Sequence, residues 1–158
     1  MTETSYDYAS MTAEAASKLA QLEGRVLLRC LVQIVPPEFN VAYLALDVGI
    51  WCIQGRIGGE VLEIFTIEEI PVDGREEISI KAFEPFSMFL NRRIVQARSI
   101  GSVWNGHGFE FSFEGLPDRT MIVQSIYTGD KADGFEDCLR LGMGYYFHDT
   151  SAVSWSGV

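Results

Sequence analysis

A chain of 158 residues carrying 12 Lys and Arg against 22 Asp and Glu has a formal charge of −10, which repels phosphate backbones and anionic lipid surfaces and argues against nucleic acid or a membrane as a direct partner. With 47% hydrophobic, 12% aromatic and 22% charged residues, the composition is that of one globular domain with a single core and is too apolar for a disordered chain. No stretch offers the roughly 20 uninterrupted apolar residues of a membrane span, and Met1 to Ser10 has neither the basic region nor the apolar run of a secretory signal, so a cytoplasmic location is expected.

Residues 1–11 are polar and expected to be mobile, ahead of a single domain over 12–148 and a polar tail over 149–158. Thr12 to Glu23 reads as a helix: Thr12 supplies an N-cap, Glu14 sits near the positive end, Gly24 stops it, and Ala15, Leu19 and Leu22 form one thin apolar stripe suited to lying on a sheet. From Arg25 the period changes to two, with Val26, Leu28, Cys30, Val32 and Ile34 on one side until Pro36-Pro37 ends the strand. Strands over Val41 to Asp47, Ile50 to Ile57 and Glu60 to Glu69 follow across Asp47-Val48-Gly49 and Gly58-Gly59, which predicts consecutive hairpins. Pro71-Val72-Asp73-Gly74 is a turn by its chemistry, and Glu76 to Ala82 is a short strand.

Glu84-Pro85 opens a short central helix that carries Phe86, Phe89 and Leu90 into the core, since proline is tolerated in a first helical turn. Arg92 to Val103 returns to β character, Asn105-Gly106 is a hairpin turn, and Phe109, Phe111 and Phe113 alternate with Glu110, Ser112 and Glu114 as a half-buried strand. Arg119 to Tyr127 pairs with it, Asp133 to Leu141 predicts a short helix ending at Gly142, and Tyr145-Tyr146-Phe147 a last strand. The expected class is α+β: a mainly antiparallel sheet of at least six strands with an N-terminal helix and a short central one.

Two stretches are alike. Leu22, Arg25, Val26 and Val35 lie on Leu90, Arg93, Ile94 and Val103, and Val41, Tyr43 and Ala45 on Phe109, Phe111 and Phe113; a shift of two more residues sets Ile53-Gln54 on Val123-Gln124. One reading is a duplicated three-stranded meander, Arg25 to Ile57 and Arg92 to Tyr127; the other is that any two amphipathic meanders align this well.

Chemistry-bearing constellations are sparse. Cys30, Cys52 and Cys138 are far apart and read as buried free thiols, no metal-ligand spacing occurs, and Gly55, Gly58 and Gly59 join strands where a phosphate loop would have to open a helix. His107 follows Asn105-Gly106 and is expected exposed at a hairpin tip, where nothing excludes water; His148 and Asp149 are neighbours that point to opposite faces of a strand. No enzymatic activity, cofactor or metal is expected.

Acidic charge is concentrated instead. Glu60, Glu63, Glu68, Glu69, Asp73, Glu76 and Glu77 face only Arg75 within one segment, and Asp130, Asp133, Glu136 and Asp137 form a second group. Such a segment is either a solvated surface that keeps the protein soluble or a docking face for a basic protein. On the second reading, with the segment taken as one hairpin, Glu68, Glu69, Asp73 and Glu76 are the partner-binding residues, with His107 as a further contact. As a small acidic α+β protein with meander sheets and no catalytic signature, the chain resembles in texture, over Arg25 to Tyr127, the immunity proteins that neutralise toxins in bacteria. The resemblance implies inhibition of a cognate toxin by steric or charge-complementary docking and transfers no functional residue. The alternatives are a homodimeric structural subunit associating through a sheet edge or apolar face, and a small-molecule-binding or enzymatic domain with a pocket under Phe86 and Phe89.

Overall fold

The period-two runs become strands and the period-four run a helix. A computed structural model describes residues 8–35, 38–56, 61–71, 79–102, 106–126, 138–144 and 154–156. Their order is α1 (Tyr8–Ala20), β1 (Val26–Val35), β2 (Glu38–Leu46), β3 (Ile50–Arg56), β4 (Val61–Ile67), β5 (Ser79–Ala82), a 3₁₀ helix (Glu84–Phe89), β6 (Arg92–Ser102), β7 (Gly106–Phe113), β8 (Leu116–Ile126), β9 (Cys138–Gly144) and β10 (Ser154–Ser156). Every strand pairing is antiparallel, and no helix among the described residues is long and apolar enough to cross a membrane.

Six strands close on themselves as a barrel. β1 pairs with β2, β2 with β9, β9 with β8, β8 with β7, β7 with β6 and β6 with β1 again. Closure removes the unpaired edges that an open sheet would expose. β3 and β4 continue outward from β2, and β4 swings against β7, while α1 lies against β4 and β6. The stripe read from the sequence is what α1 buries: Ala15, Leu19 and Leu22 belong to the main core.

Inside the barrel Phe109, Phe111 and Phe113 alternate inward. The 3₁₀ helix adds fully buried Phe86 and Phe89, with edge-on ring contacts from Phe39 to Phe83, Phe83 to Phe86 and Phe86 to Phe89, and a stacked contact from Phe89 to Phe113. The aromatics therefore fill the space in which a pocket was an alternative.

Several expectations are corrected. The N-terminal helix starts at Tyr8, so Thr12 is no cap; its hydroxyl donates to the Ala9 carbonyl within the helix. Glu14 pairs with Lys18 at 3.2 Å along the helix surface. Cys138 to Leu141 is strand and not the end of a helix, because Leu139 and Leu141 alternate into the barrel. Within the stretch read as a polar tail, Ser154–Ser156 pairs with β9. The predicted turn around Asn105 and the last strand over Tyr145-Tyr146-Phe147 lie outside the described residues.

Ladders β1 to β4 and β6 to β9 share one register. Cys30–Leu44 matches Ala97–Phe111, Leu31–Tyr43 matches Arg98–Glu110 and Val32–Ala42 matches Ser99–Phe109. Gln54–Glu63 likewise matches Gln124–Arg140, and Arg56–Val61 matches Ile126–Cys138. Both first ladders carry a bulge at the same place, which throws out Leu28 in one and Val95 in the other, 43% and 58% exposed. The ladders set Arg25 on Arg92, one residue from the pairing that likeness of side chains selects.

Phe111 is fully buried at the centre of the barrel, so Phe111→Ala is expected to lower stability by about 3–5 kcal/mol in denaturant titrations. Near-wild-type stability would show that the site collapses around the lost ring.

Candidate functional site

The acidic segment divides at the end of β4. Within the strand, Glu63 is half-buried and engaged, accepting from Gln54 Nε2 at 2.7 Å and lying 3.4 Å from Arg56 Nη1. Just beyond it, Glu68 and Glu69 are exposed and have no hydrogen bond or ion pair among the described residues. Asp73 and Glu76 lie outside the described residues.

The single acidic hairpin expected from the sequence does not form. β4 pairs with β3, whereas β5 pairs with β1 on the edge away from β2, so the chain between them passes from one margin of the β1–β4 sheet to the other. The physical reason is a second apolar cluster on the outer face of that sheet. Leu31, Val41, Tyr43 and Cys52 are buried there, and Ile70 and Ile80, which flank the connection, pack on them. Covering this surface is worth more than the few bonds of a short hairpin.

His107 is where the sequence misleads most. It is the second residue of β7 and 1% exposed, not an exposed tip. Gly106, at φ +88°, brings the strands close enough that a Cβ there would meet the Ser125 carbonyl oxygen at 2.3 Å, which excludes any other residue. The His107 Nδ1 accepts the backbone N–H of Leu62 in β4 at 2.9 Å, Nε2 lies 2.5 Å from Ser99 Oγ, and the ring meets Phe109 edge-on. An acceptor at Nδ1 places the proton of the neutral ring on Nε2, which donates to Ser99. The imidazole therefore cannot take the Ser99 proton as a general base, and Ser–His proximity here is structural. About six strand residues separate Leu62 from Glu68, roughly 20 Å, so His107 is no part of the acidic surface.

A third group escaped sequence reading. Arg98 Nε and Nη2 both donate to Glu110 Oε1, at 2.8 and 2.5 Å, and Thr120 Oγ1 donates to Oε2 at 2.7 Å. Glu110 is buried although the alternation of β7 reads it as facing solvent. A Cβ on Gly144 would meet Thr120 Oγ1 at 2.6 Å, so the glycine makes room for the network. The neighbouring Ser112 hydroxyl is buried with no hydrogen-bond partner among the described residues. Sequence reading misses it because a two-residue turn at Asn105-Gly106 would set Arg98 opposite Phe113, whereas the ladder pairs Ser102 with Gly106 and so brings Arg98 opposite Glu110. Chemically the group is a satisfied cross-strand ion pair that fixes register.

Burial pushes the Cys30 thiol up to about 12, and burial with the nearby Glu63 carboxylate does the same for Cys52, so neither forms the thiolate a nucleophile needs. A cleft of about 60 Å³ between α1 and β4 is lined by the Glu14–Lys18 and Arg56–Glu63 pairs. Among the described residues no group of three or more His, Cys, Asp or Glu is placed to hold a metal ion. No protein-family model matches the chain, and neither the curated proteins nor the solved structures contain a match.

Burial lowers the His107 pKa from 6.5 to about 4. Because the folded value lies below the unfolded one, the unfolded chain binds the proton first as pH falls. The contribution is fully present above pH 6.5 and lost between there and about pH 4, amounting to about 3 kcal/mol. His107→Asn, which keeps an acceptor near Leu62, is expected to flatten the fall in unfolding free energy between pH 7 and 4.5. An unchanged slope would place the titration elsewhere.

Proposed function

We propose that this chain is a non-enzymatic binding module that docks a basic protein through the acidic surface beginning at Glu68 and Glu69. What carries the reading is the contrast at the end of β4: Glu63 is already hydrogen-bonded by Gln54 and ion-paired with Arg56, whereas the next two carboxylates are exposed and have no partner among the described residues, in a chain of net charge −10. Like charges left unpaired repel one another in the free protein, and a basic partner relieves that repulsion and is steered by it. Asp73 and Glu76 continue the surface in this proposal; His107, sealed between β4 and β7, is withdrawn from it. Inhibition of a toxin, as the resemblance to immunity proteins implies, is the most specific form of the reading.

We infer that the chain is an internal duplication whose unit is a helical segment followed by a four-stranded meander. Supporting it are the common register, the common bulge, and left-handed residues at matching places, Gly24 at φ +88° and Asn91 at +65°. The bonds between the halves also correspond: Gly24 N–H donates to the Ile94 carbonyl at 2.8 Å and Asn91 N–H to the Leu27 carbonyl at 2.6 Å. Duplication leaves two comparable surfaces, only one of which need keep an ancestral contact.

A basic partner recovered with the chain from its native cell is expected to associate more slowly as salt rises. Replacing Glu68, Glu69, Asp73 and Glu76 together by Gln or Asn is expected to slow association about tenfold or more with the thermal midpoint preserved. An on-rate indifferent to salt and to the fourfold change would remove this surface from the site.

A further inference from the structure

The margin of the β1–β4 sheet holds opposite charges that have no partner among the described residues. Arg25 and Arg29, at the start of β1, are exposed and make no side-chain hydrogen bond or ion pair among the described residues. Glu68 and Glu69 stand equally bare past β4. The ladders put the two groups at one end of the sheet, because Arg29 pairs with Ala45, Ala45 with Ile50, and Ile50 with Ile67, the residue before Glu68. Three strand spacings separate them by roughly 14 Å. Between them the β2–β3 turn presents Val48, 55% exposed, and Asp47, whose Oδ1 accepts the Val26 N–H at 3.1 Å.

A margin with a positive end, an apolar middle and a negative end is complementary to itself after a half-turn. We propose that it is an isologous interface with a second copy of the chain, in which Arg25 and Arg29 of each copy meet Glu68 and Glu69 of the other and the two Val48 side chains meet at the axis. Each contact occurs twice, so four unpaired charges per chain are satisfied together. The charge of −10 on each copy opposes the encounter, but at physiological salt screening acts over about 8 Å, which weakens repulsion between distant charges more than attraction between touching ones. The dimer is accordingly a weak, reversible one. It shares Glu68 and Glu69 with the proposed docking surface without resting on that reading, and it competes with a basic partner for them.

Sedimentation velocity over a concentration series at physiological salt is expected to show a monomer–dimer equilibrium. Arg25→Glu with Arg29→Glu, and separately Glu68→Arg with Glu69→Arg, are each expected to remain monomeric where the wild type is half dimeric. Their equimolar mixture is expected to form a heterodimer, because both contacts again join opposite charges; thermal melts establish that each variant is folded. A wild type that stays monomeric throughout, a dimer that survives both reversals, or a mixture that fails to associate overturns the proposal. None of these outcomes bears on whether a basic partner's on-rate depends on salt, so the two readings fail separately.

Discussion

The short antiparallel contact between the starts of β1 and β6 joins the two sheets, and the rest of the barrel depends on it. Its ladder has only two pairs, Val26 with Arg93 and Leu27 with Arg92, extended by the bonds from Gly24 N–H to Ile94 and from Asn91 N–H to Leu27. So short a joint suffices because both strands are bent next to it. The left-handed residues Gly24 and Asn91 redirect the chain into each strand, and the bulges at Leu28 and Val95 turn each strand away a few residues later. The sheets therefore meet at an angle and fold over a common interior, in which residues from α1, both sheets and the 3₁₀ helix form one cluster. A longer, straighter β1–β6 ladder would have made one wide sheet with two open faces.

The opposite corners close differently, and the difference explains the buried histidine. On one side β2 reaches β9 through the backbone pairing of Phe39 with Leu139. On the matching side the residue corresponding to Leu139 is Leu62, whose N–H is taken by the His107 ring. Asn40, which occupies the register position of His107 in the β1–β4 ladders, is also buried, so both sets of ladders put a polar side chain at this corner. A side chain here spares a backbone donor from burial without an acceptor, which costs about 1–3 kcal/mol. The imidazole serves the fold, which is why its proximity to Ser99 does not make a catalytic pair.

Alternation was legible in part: Cys30, Val32 and Ile34, then Phe109, Phe111 and Phe113, and the Ala15, Leu19, Leu22 stripe are core as expected, but the bulge turns Leu28 out and Leu27 in, and Glu110 and Ser112 are buried as well. Failures came where tertiary contacts overrode local pattern. The acidic stretch looks like a hairpin because Pro71 to Gly74 has turn chemistry, but the outer apolar face made by Leu31, Tyr43 and Cys52 belongs to strands distant in sequence, and only their assembly requires a connection across it. His107 looks exposed because a residue beside Asn-Gly usually is, and only the arrival of β4 encloses it. Of the surface residues chosen from charge alone, Glu68 and Glu69 are where exposure was expected, and nothing in their neighbourhood could have told them apart from Glu63 before Gln54 and Arg56 were known to face it.

The outer faces of the two sheets show where a surface contact can be sought. At matching positions the first sheet carries Leu31, Tyr43, Cys52 and Phe65, and the second Arg98, Glu110, Ile122 and Gly142. The first face is an apolar cluster closed by Ile70 and Ile80, and the second is organised by the Arg98–Glu110–Thr120 network, with Glu110, Thr120 and Ile122 buried. Both faces are thus committed to the fold, one by burial of apolar area and the other by charge-assisted hydrogen bonds. Charge without a partner among the described residues remains instead at the margin of the β1–β4 sheet, on the exposed Arg25, Arg29, Glu68 and Glu69, whose side chains belong to neither core cluster. Removing them leaves the fold's interactions untouched, and that independence is what lets charge reversal at the margin report on association alone.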